Sequence, residues 1–202
     1  MKNRFKRFKK SFCYILFCTF SVLHGQDKKN SFPITLSIFN ESTVMPFTSF
    51  FTLPIHSGFQ FSTELNYNKI LRNRLFQTFG TSYYYHQYLN QSVTVFTELG
   101  YEFRTNLGIE TSFLLGIGYM RSFRTSTEYE FDNGSYKKSR NLGVGRFVPS
   151  FSLETGYYIF PKNAISSKVF LKYQTWIEYP FSPNFIEIMP HQNVHIGVKF
   201  YI

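Results

Sequence analysis

Apolar and polar positions alternate with a period of two along the C-terminal segment 193–202. The apolar positions are Val194, Ile196, Val198, Phe200 and Ile202, and the positions between them are Asn193, His195, Gly197, Lys199 and Tyr201. Successive side chains of a β-strand point to opposite faces. The segment therefore predicts a strand with one apolar face and one polar face.

Seven earlier segments show the same alternation and are separated by turn residues. Together with the C-terminal segment, the predicted strands are 33–40, 57–68, 75–88, 92–104, 107–123, 145–160, 167–179 and 193–202. Eight such strands predict an all-β fold, a transmembrane antiparallel up-and-down β-barrel whose apolar faces meet lipid. A soluble β-sandwich is the alternative, and it would not need apolar residues facing outward all round.

The glycines and the connections agree with a barrel. Glycine relieves crowding on the inner wall of a small barrel, and eight glycines fall on the polar parity, namely Gly58, Gly80, Gly100, Gly108, Gly116, Gly118, Gly156 and Gly197. Long connections at 41–56, 124–142 and 180–192 follow odd-numbered strands, whereas the connections after even-numbered strands are shorter; the short connection at Asn90-Gln91, after the third strand, is the exception. This asymmetry predicts external loops, periplasmic turns and both termini in the periplasm. In the longest loop, Asn133-Gly134 predicts a hairpin tip, because both residues tolerate positive φ.

Residues 1–25 predict a signal peptide that is removed. A basic segment with Lys2, Arg4, Lys6, Arg7, Lys9 and Lys10 precedes an apolar run of about 12 residues, which is too short for a transmembrane helix. Its removal would leave a short flexible N-terminus, 26–32, and one barrel domain, 33–202. The remaining 16 Lys and Arg residues against 12 Asp and Glu residues lower the formal charge from +10 to +4, which removes the main argument for nucleic-acid binding. Cys13 and Cys18 both lie in the leader, so the rest of the chain offers no disulfide or thiolate chemistry.

The leader, the eight amphipathic strands and the C-terminal residues together resemble the small, eight-stranded outer-membrane β-barrels of Gram-negative bacteria. The resemblance covers 33–202 and implies residence in the outer membrane, in contact with its lipids and with lipopolysaccharide. It implies that Val198, Phe200 and Ile202 form the signal for the barrel-assembly machinery, with Ile202 in place of the usual terminal phenylalanine. Gln26 after a glycine is similar to leaders common in the Bacteroidota.

Ten charged residues fall on the predicted inner face. They are Glu64, Glu98, Glu102, Glu110, Glu154, Glu178, Arg104, Lys168, Lys172 and Lys199. An eight-stranded barrel is just wide enough for its own side chains, and charges inside it must pair or hold water. The set predicts ion pairs that fill the lumen, with Glu154 and Glu178 as candidate partners of Lys199. A narrow path for ions or protons is the alternative.

The motifs predict no catalytic, cofactor or metal site. HExxH, paired cysteines, an EF-hand loop and a phosphate-binding glycine loop are all absent from the sequence. Lipid hydrolases of this barrel type place a serine two residues after a histidine, so that the imidazole can deprotonate the hydroxyl. The residues at that position after His56, His86, His191 and His195 are Gly58, Tyr88, Asn193 and Gly197.

Two surface features suggest contacts at the membrane interface. Tyr83, Tyr84 and Tyr85 predict part of an interfacial aromatic belt, with sugar stacking as the alternative. Lys137, Lys138 and Arg140, in the longest loop, are candidates for contact with lipopolysaccharide phosphates, and a solvated charge run is equally reasonable.

These patterns predict a non-enzymatic outer-membrane barrel that acts as a structural or loop-presenting module with a filled lumen. Recognition would then fall to the loops 41–56, 124–142 and 180–192, because loops on a rigid scaffold carry function. The alternatives are a narrow, porin-like channel for ions or small solutes and a lipid-modifying enzyme. The sequence names no ligand.

Overall fold

The chain folds as a closed antiparallel barrel of eight strands. The computed structural model describes residues 31–48, 52–68, 70–87, 90–127, 129–132, 134–163, 165–182 and 185–202. The barrel strands are β1 (Pro33–Ser42), β2 (His56–Asn66), β3 (Asn73–Tyr85), β4 (Asn90–Arg104), β5 (Ile109–Arg124), β8 (Val144–Tyr158), β9 (Lys168–Glu178) and β10 (Met189–Tyr201). β6 (Tyr129–Asp132) and β7 (Ser135–Lys138) form a separate two-stranded hairpin between β5 and β8.

Each barrel strand pairs with the barrel strand that follows it in sequence, and β1 pairs with β10 to close the ring. The closing register places Pro33 opposite Tyr201 and Glu41 opposite Asn193. The up-and-down prediction is therefore confirmed, and the β-sandwich alternative is wrong because the sheet has no open edge. The hairpin predicted in the longest loop is also present, with Gly134 at a φ of +80° beside the turn.

The barrel has two unlike ends. The end with the connections β2–β3, β4–β5 and β8–β9 and the two strand termini is here called the turn end. The opposite end, with the connections β1–β2, β3–β4, β5–β8 and β9–β10, is called the loop end. β5 has 16 residues, and β4 and β8 have 15 each. These strands exceed the 9–11 residues that cross a bilayer.

Most side chains on the outer face are apolar and exposed, and most side chains on the inner face are polar and buried. Ile38, Val95 and Leu115 are exposed by 65%, 64% and 65%, whereas Glu110, Ser112 and Lys199 on the inner face are fully buried. This distribution is the reverse of that in a soluble protein and matches a surface that meets lipid.

Glycines on the inner wall make room for aromatic rings that cross the lumen. A Cβ atom would overlap the ring of Phe39 at Gly58, the ring of Phe76 at Gly100 and the ring of Phe170 at Gly197. Each ring lies on a strand adjacent to its glycine. The glycines therefore set the packing of the lumen.

An apolar layer crosses the lumen towards the loop end and contains Phe39, Tyr84, Met120, Val148 and Trp176. Tyr84 is 3% exposed, so it corrects the prediction that the whole run 83–85 joins an outer aromatic belt. The reason is strand parity, since neighbouring residues point to opposite faces. Tyr85 does face outward and is 45% exposed.

The predicted signal peptide, 1–25, and most of the predicted flexible segment, 26–32, lie outside the described residues. None of the residues that the structure describes belongs to a helix long and apolar enough to span a membrane.

Candidate functional site

Arg74 joins two glutamates across the lumen near the turn end. Its guanidinium donates to Glu64 Oε2 at 2.9 Å and to Glu102 Oε2 at 2.5 Å, and it lies over the ring of Phe76. Lys199 donates to the same Glu64 oxygen at 2.8 Å. Arg74 and Lys199 therefore share the carboxylate of Glu64, and the guanidinium of Arg74 links it to the carboxylate of Glu102.

Near the turn end, the ammonium group of Lys168 lies close to three carboxylates. Its Nζ donates to Glu110 Oε1 at 2.8 Å and to Glu154 Oε1 at 2.5 Å, and it lies 3.9 Å from Glu102 Oε2. Tyr158 donates its hydroxyl to both oxygens of Glu102, at 3.0 and 2.9 Å. Charges this deep persist only when they are paired, because an unpaired charge in a low dielectric is costly.

A second group lies in the middle of the lumen around Glu98. Lys172 donates to Glu98 Oε2 at 2.6 Å, and both Gln174 and Ser152 donate to Glu98 Oε1 at 3.0 Å. Asn193 continues the group by donating to the side-chain oxygen of Gln174 at 3.0 Å. Both carboxylate oxygens of Glu98 are thus satisfied.

The structure places all ten predicted charged residues on the inner side of the barrel, but two make other contacts than expected. Lys199 pairs with Glu64, not with Glu154 or Glu178. Arg104 donates to the backbone carbonyls of Phe160, Pro161 and Asn163 at the turn end and stacks over Tyr158. Sequence parity gives the face of a residue, whereas the barrel's register determines the level at which it lies.

A separate polar group closes the loop end of the lumen. It contains Glu41, His56, His86, Arg146, Glu178 and His191 and is here called the loop-end cluster. Arg146 forms an ion pair with Glu178, whose Oε2 lies 3.0 Å from His191 Nε2. The other ring nitrogen of His191 lies 2.7 Å from Glu41 Oε1, and the ring stacks on Trp176 at 4.0 Å.

His56, the first residue of β2, and His86, which directly follows β3, complete the cluster. Their rings stack with centroids 3.5 Å apart and an angle of 24° between planes. His56 Nδ1 lies 3.3 Å from the carbonyl oxygen of Glu41 and 3.8 Å from Glu41 Oε2. His86 follows the last residue of β3, and burial, together with the neighbouring His56, lowers its pKa. A lowered pKa favours the neutral ring.

Glu41, Arg74, Arg146 and His191 are absent from the predicted charge network. Glu41, Arg74 and His191 lie where the strands exceed their predicted bounds, since β1 continues to Ser42, β3 begins at Asn73 and β10 begins at Met189. Arg146 lies within a predicted strand, on its polar parity. With Glu41, Arg74 and Arg146 added to the ten predicted residues, seven carboxylates face six guanidinium and ammonium groups. Extending the parity of each strand by two residues would have identified three of the four.

The structure brings a serine and a histidine together although the sequence has no His-x-Ser spacing. Ser37 Oγ lies 3.2 Å from His195 Nδ1, on the neighbouring strands β1 and β10. Both side chains are buried inside the lumen, at 5% and 1% exposure, and Phe39 packs on the imidazole. The pair faces away from the lipid-exposed outer wall, so this hydroxyl does not meet an acyl ester in the membrane.

The three predicted assembly-signal residues lie on the outer face at the turn end of β10. Val198 is 44% exposed and Ile202 is 71% exposed. Phe32 and Ile202 exchange backbone hydrogen bonds of 2.8 and 3.1 Å. The C-terminal residue is therefore paired with the segment just before β1.

The cavities inside the barrel differ in volume. The centre of the lumen holds a cavity of about 30 Å³ between the apolar layer and Gln174 and Asn193, which is room for about two water molecules. A larger cavity of about 330 Å³ opens at the turn end, beside Arg74, Glu102 and Tyr158.

No protein-family model matches the chain, and a comparison with curated proteins found no match. Solved structures do resemble it. Neisserial surface protein A (NspA) aligns with a TM-score of 0.50 at 12% identity, over 85% of this chain and 96% of its own. The outer membrane enzyme PagL aligns with a TM-score of 0.50 at 12% identity, over 84% of this chain and 99% of its own.

A third similar structure, the attachment invasion locus protein Ail of Yersinia pestis, has a TM-score of 0.46 at 11% identity, over 85% of this chain and 97% of its own. Identities this low show the fold alone. The chain therefore has the closed eight-stranded antiparallel fold of small outer-membrane β-barrels.

Proposed function

We propose that this protein is an outer-membrane barrel that acts as a structural or loop-presenting module, with a lumen closed by its own side chains. The observation that supports this most directly is the filled inner wall. Paired charges occupy the turn-end and middle levels, an apolar layer lies above them, and the loop-end cluster lies above that layer. The exposed apolar outer wall supports a position in the membrane.

The module is proposed to be non-enzymatic although PagL has the same fold. Ser37 and His195 lie within hydrogen-bonding distance of each other, and both side chains are buried in the lumen, away from the lipid. A fold shared at 12% identity does not transfer an activity, because chemistry depends on the site and not on the scaffold.

The proposed partners follow from the position of the loops. Lys137 and Lys138 in β7 and Arg140 just after it are exposed and offer cations for lipopolysaccharide phosphates. Membrane lipids would cover the outer wall, and the barrel-assembly machinery would read Val198, Phe200 and Ile202 during insertion. A Bacteroidota source stays a prediction.

Planar-bilayer recording tests the closed lumen. The refolded protein is expected to insert without producing conductance steps, because paired charges and aromatic rings leave only a small central cavity. The matched control is the double variant Phe39→Ala/Trp176→Ala, which removes two rings of the apolar layer and should admit ions. Insertion is checked separately by protease protection in vesicles.

Reproducible conductance by the unmodified protein would contradict the closed lumen and support the channel alternative. In that case Glu98→Gln and Glu110→Gln should change ion selectivity, because these carboxylates are buried along the lumen. A silent protein with a conducting double variant would leave the loops as the place to search for function.

Cysteine labelling in intact Gram-negative cells tests the proposed orientation. Thr127→Cys lies in the longest loop, and Lys162→Cys lies in the β8–β9 turn, and both positions are exposed. A membrane-impermeant maleimide is expected to label Thr127→Cys in intact cells and Lys162→Cys only after the outer membrane is opened. The reverse pattern would place the termini outside and overturn the proposed orientation.

A further inference from the structure

Three side chains that can bind a metal ion meet on three neighbouring strands at the loop end. Glu41 lies opposite His56 in the β1–β2 register, and His86 follows the last residue of β3. Each offers one ligand atom, and these atoms lie within 4.8 Å of one another. All three residues are at least nine-tenths buried.

The carboxylate of Glu41 is already oriented by its neighbours. Its Oε1 accepts a hydrogen bond from Thr43 at 3.1 Å and lies 2.7 Å from His191 Nδ1. Its Oε2 is buried and has no hydrogen-bond partner among the described residues. A carboxylate with one oxygen held by a second layer of residues and the other left for an ion is the usual arrangement of a metal ligand.

His56 is oriented in the corresponding way. Its Nδ1 faces the carbonyl oxygen of Glu41 at 3.3 Å, and a carbonyl can only accept, so Nδ1 carries the hydrogen. The lone pair then lies on Nε2, which is buried and has no hydrogen-bond partner in the part of the chain that the structure describes. Metal-binding histidines typically hold one nitrogen to a backbone carbonyl and present the other.

We propose that Glu41, His56 and His86 form a binding site for a divalent transition metal, zinc in particular, that links β1, β2 and β3 at the loop end. Two imidazoles and one carboxylate suit zinc, whereas calcium and magnesium prefer oxygen ligands throughout. The site is independent of the closed-lumen function, and it would link β1, β2 and β3 at the end of the barrel where the chain connects only β1 to β2 among these three strands.

Metal binding requires a contraction of the site and the rotation of one histidine ring. Ligand atoms in a tetrahedral zinc site lie about 3.3–3.6 Å apart, because each bond is about 2.0–2.2 Å long. The present atoms lie within 4.8 Å of one another. The rings of His56 and His86 are stacked, and imidazole lone pairs lie in the ring plane, so one ring must also rotate out of the stack before both histidines can bind the same ion. Three protein ligands leave a fourth position, which water or an external ligand would occupy.

Zinc titration of the refolded, tag-free protein in detergent micelles tests the site, after treatment with EDTA and dialysis. We expect one zinc ion per chain by calorimetry and no saturable binding of calcium or magnesium. His56→Ala and Glu41→Gln should each weaken zinc binding by more than about tenfold, and Glu187→Gln, an exposed glutamate in the β9–β10 connection, should not. The absence of saturable zinc binding, or equal affinity in all four proteins, would overturn the proposal.

A second measurement on the unmodified chain covers the case in which a variant does not fold. Trp176 is the only tryptophan and stacks on His191, which contacts Glu41, so its fluorescence should change with the zinc titration. Cobalt added in place of zinc should give the absorption bands of a four-coordinate site. The spectrum of the free hydrated cobalt ion, with unchanged Trp176 fluorescence, would overturn the proposal.

Discussion

Replacing Lys168 by methionine is expected to lower the free energy of unfolding by about 3–5 kcal/mol. The ammonium donates to Glu110 and Glu154 and lies 3.9 Å from Glu102, and Lys168 is 1% exposed. Methionine fills a similar volume without charge, so the variant leaves the carboxylates facing one another without their shared cation. Removal of one partner from a buried pair is costly because the remaining charge loses both water and its partner.

Urea unfolding in lipid vesicles, followed by the fluorescence of Trp176, measures this loss. Lys162→Met in the exposed β8–β9 turn is the matched control, and it should leave the unfolding midpoint nearly unchanged. The triple variant Lys168→Met/Glu110→Gln/Glu154→Gln should recover most of the loss, because neutral side chains remove the unpaired charges. A Lys168→Met variant as stable as Lys162→Met would show that water, not Lys168, satisfies these carboxylates.

The face of each lumen residue could be predicted from the sequence because parity is a local property of a strand. Glu98 and Lys172 each lie on the polar side of a clearly alternating segment, and both point into the lumen. Their contact could not be predicted, because the two residues are 74 positions apart and meet only through the register of a closed barrel. Lys199 and Glu64, 135 positions apart, illustrate the same limit.

The strand ends were harder to predict than the strand centres. Pro190 interrupts the alternation and favours a loop, yet β10 begins at Met189 and includes His191. A proline is tolerated in the first residues of a strand, where its missing N–H is least needed. The residues of the loop-end cluster come from such ends, so a search for short motifs could not bring Glu41, His56 and His86 together.

The polar groups at the two ends of the lumen differ in how their carboxylates are hydrogen-bonded. The turn-end charges form multiple hydrogen bonds, and each carboxylate accepts from at least one cation or hydroxyl. The loop-end cluster includes two buried acceptors without hydrogen-bond partners, Glu41 Oε2 and His56 Nε2, as far as the described residues go. The corresponding atoms at the turn end, Arg74 Nε and Arg104 Nε, are donors and cannot bind a cation. Unsatisfied buried polar atoms are costly, so this end is where a bound ion would add most stability.

Replacing Arg74 by methionine is expected to lower the free energy of unfolding by about 2–3 kcal/mol, less than the loss at Lys168. Its two carboxylates keep other partners, since Glu64 still accepts from Lys199 and Glu102 still accepts from Tyr158. The loss should therefore be limited to the hydrogen bonds of the guanidinium itself. Arg72→Met, two residues earlier and exposed at the turn end, is the matched control.

Arg74→Lys separates charge from geometry at the same position. Lysine keeps the positive charge, but one ammonium on a flexible chain cannot reproduce the fork that joins Glu64 Oε2 to Glu102 Oε2. Urea unfolding should therefore place Arg74→Lys between the unmodified protein and Arg74→Met. Full stability of Arg74→Lys would mean that charge alone matters here, and a loss in Arg74→Met equal to that in Lys168→Met would mean that Lys199 and Tyr158 do not compensate for the missing guanidinium.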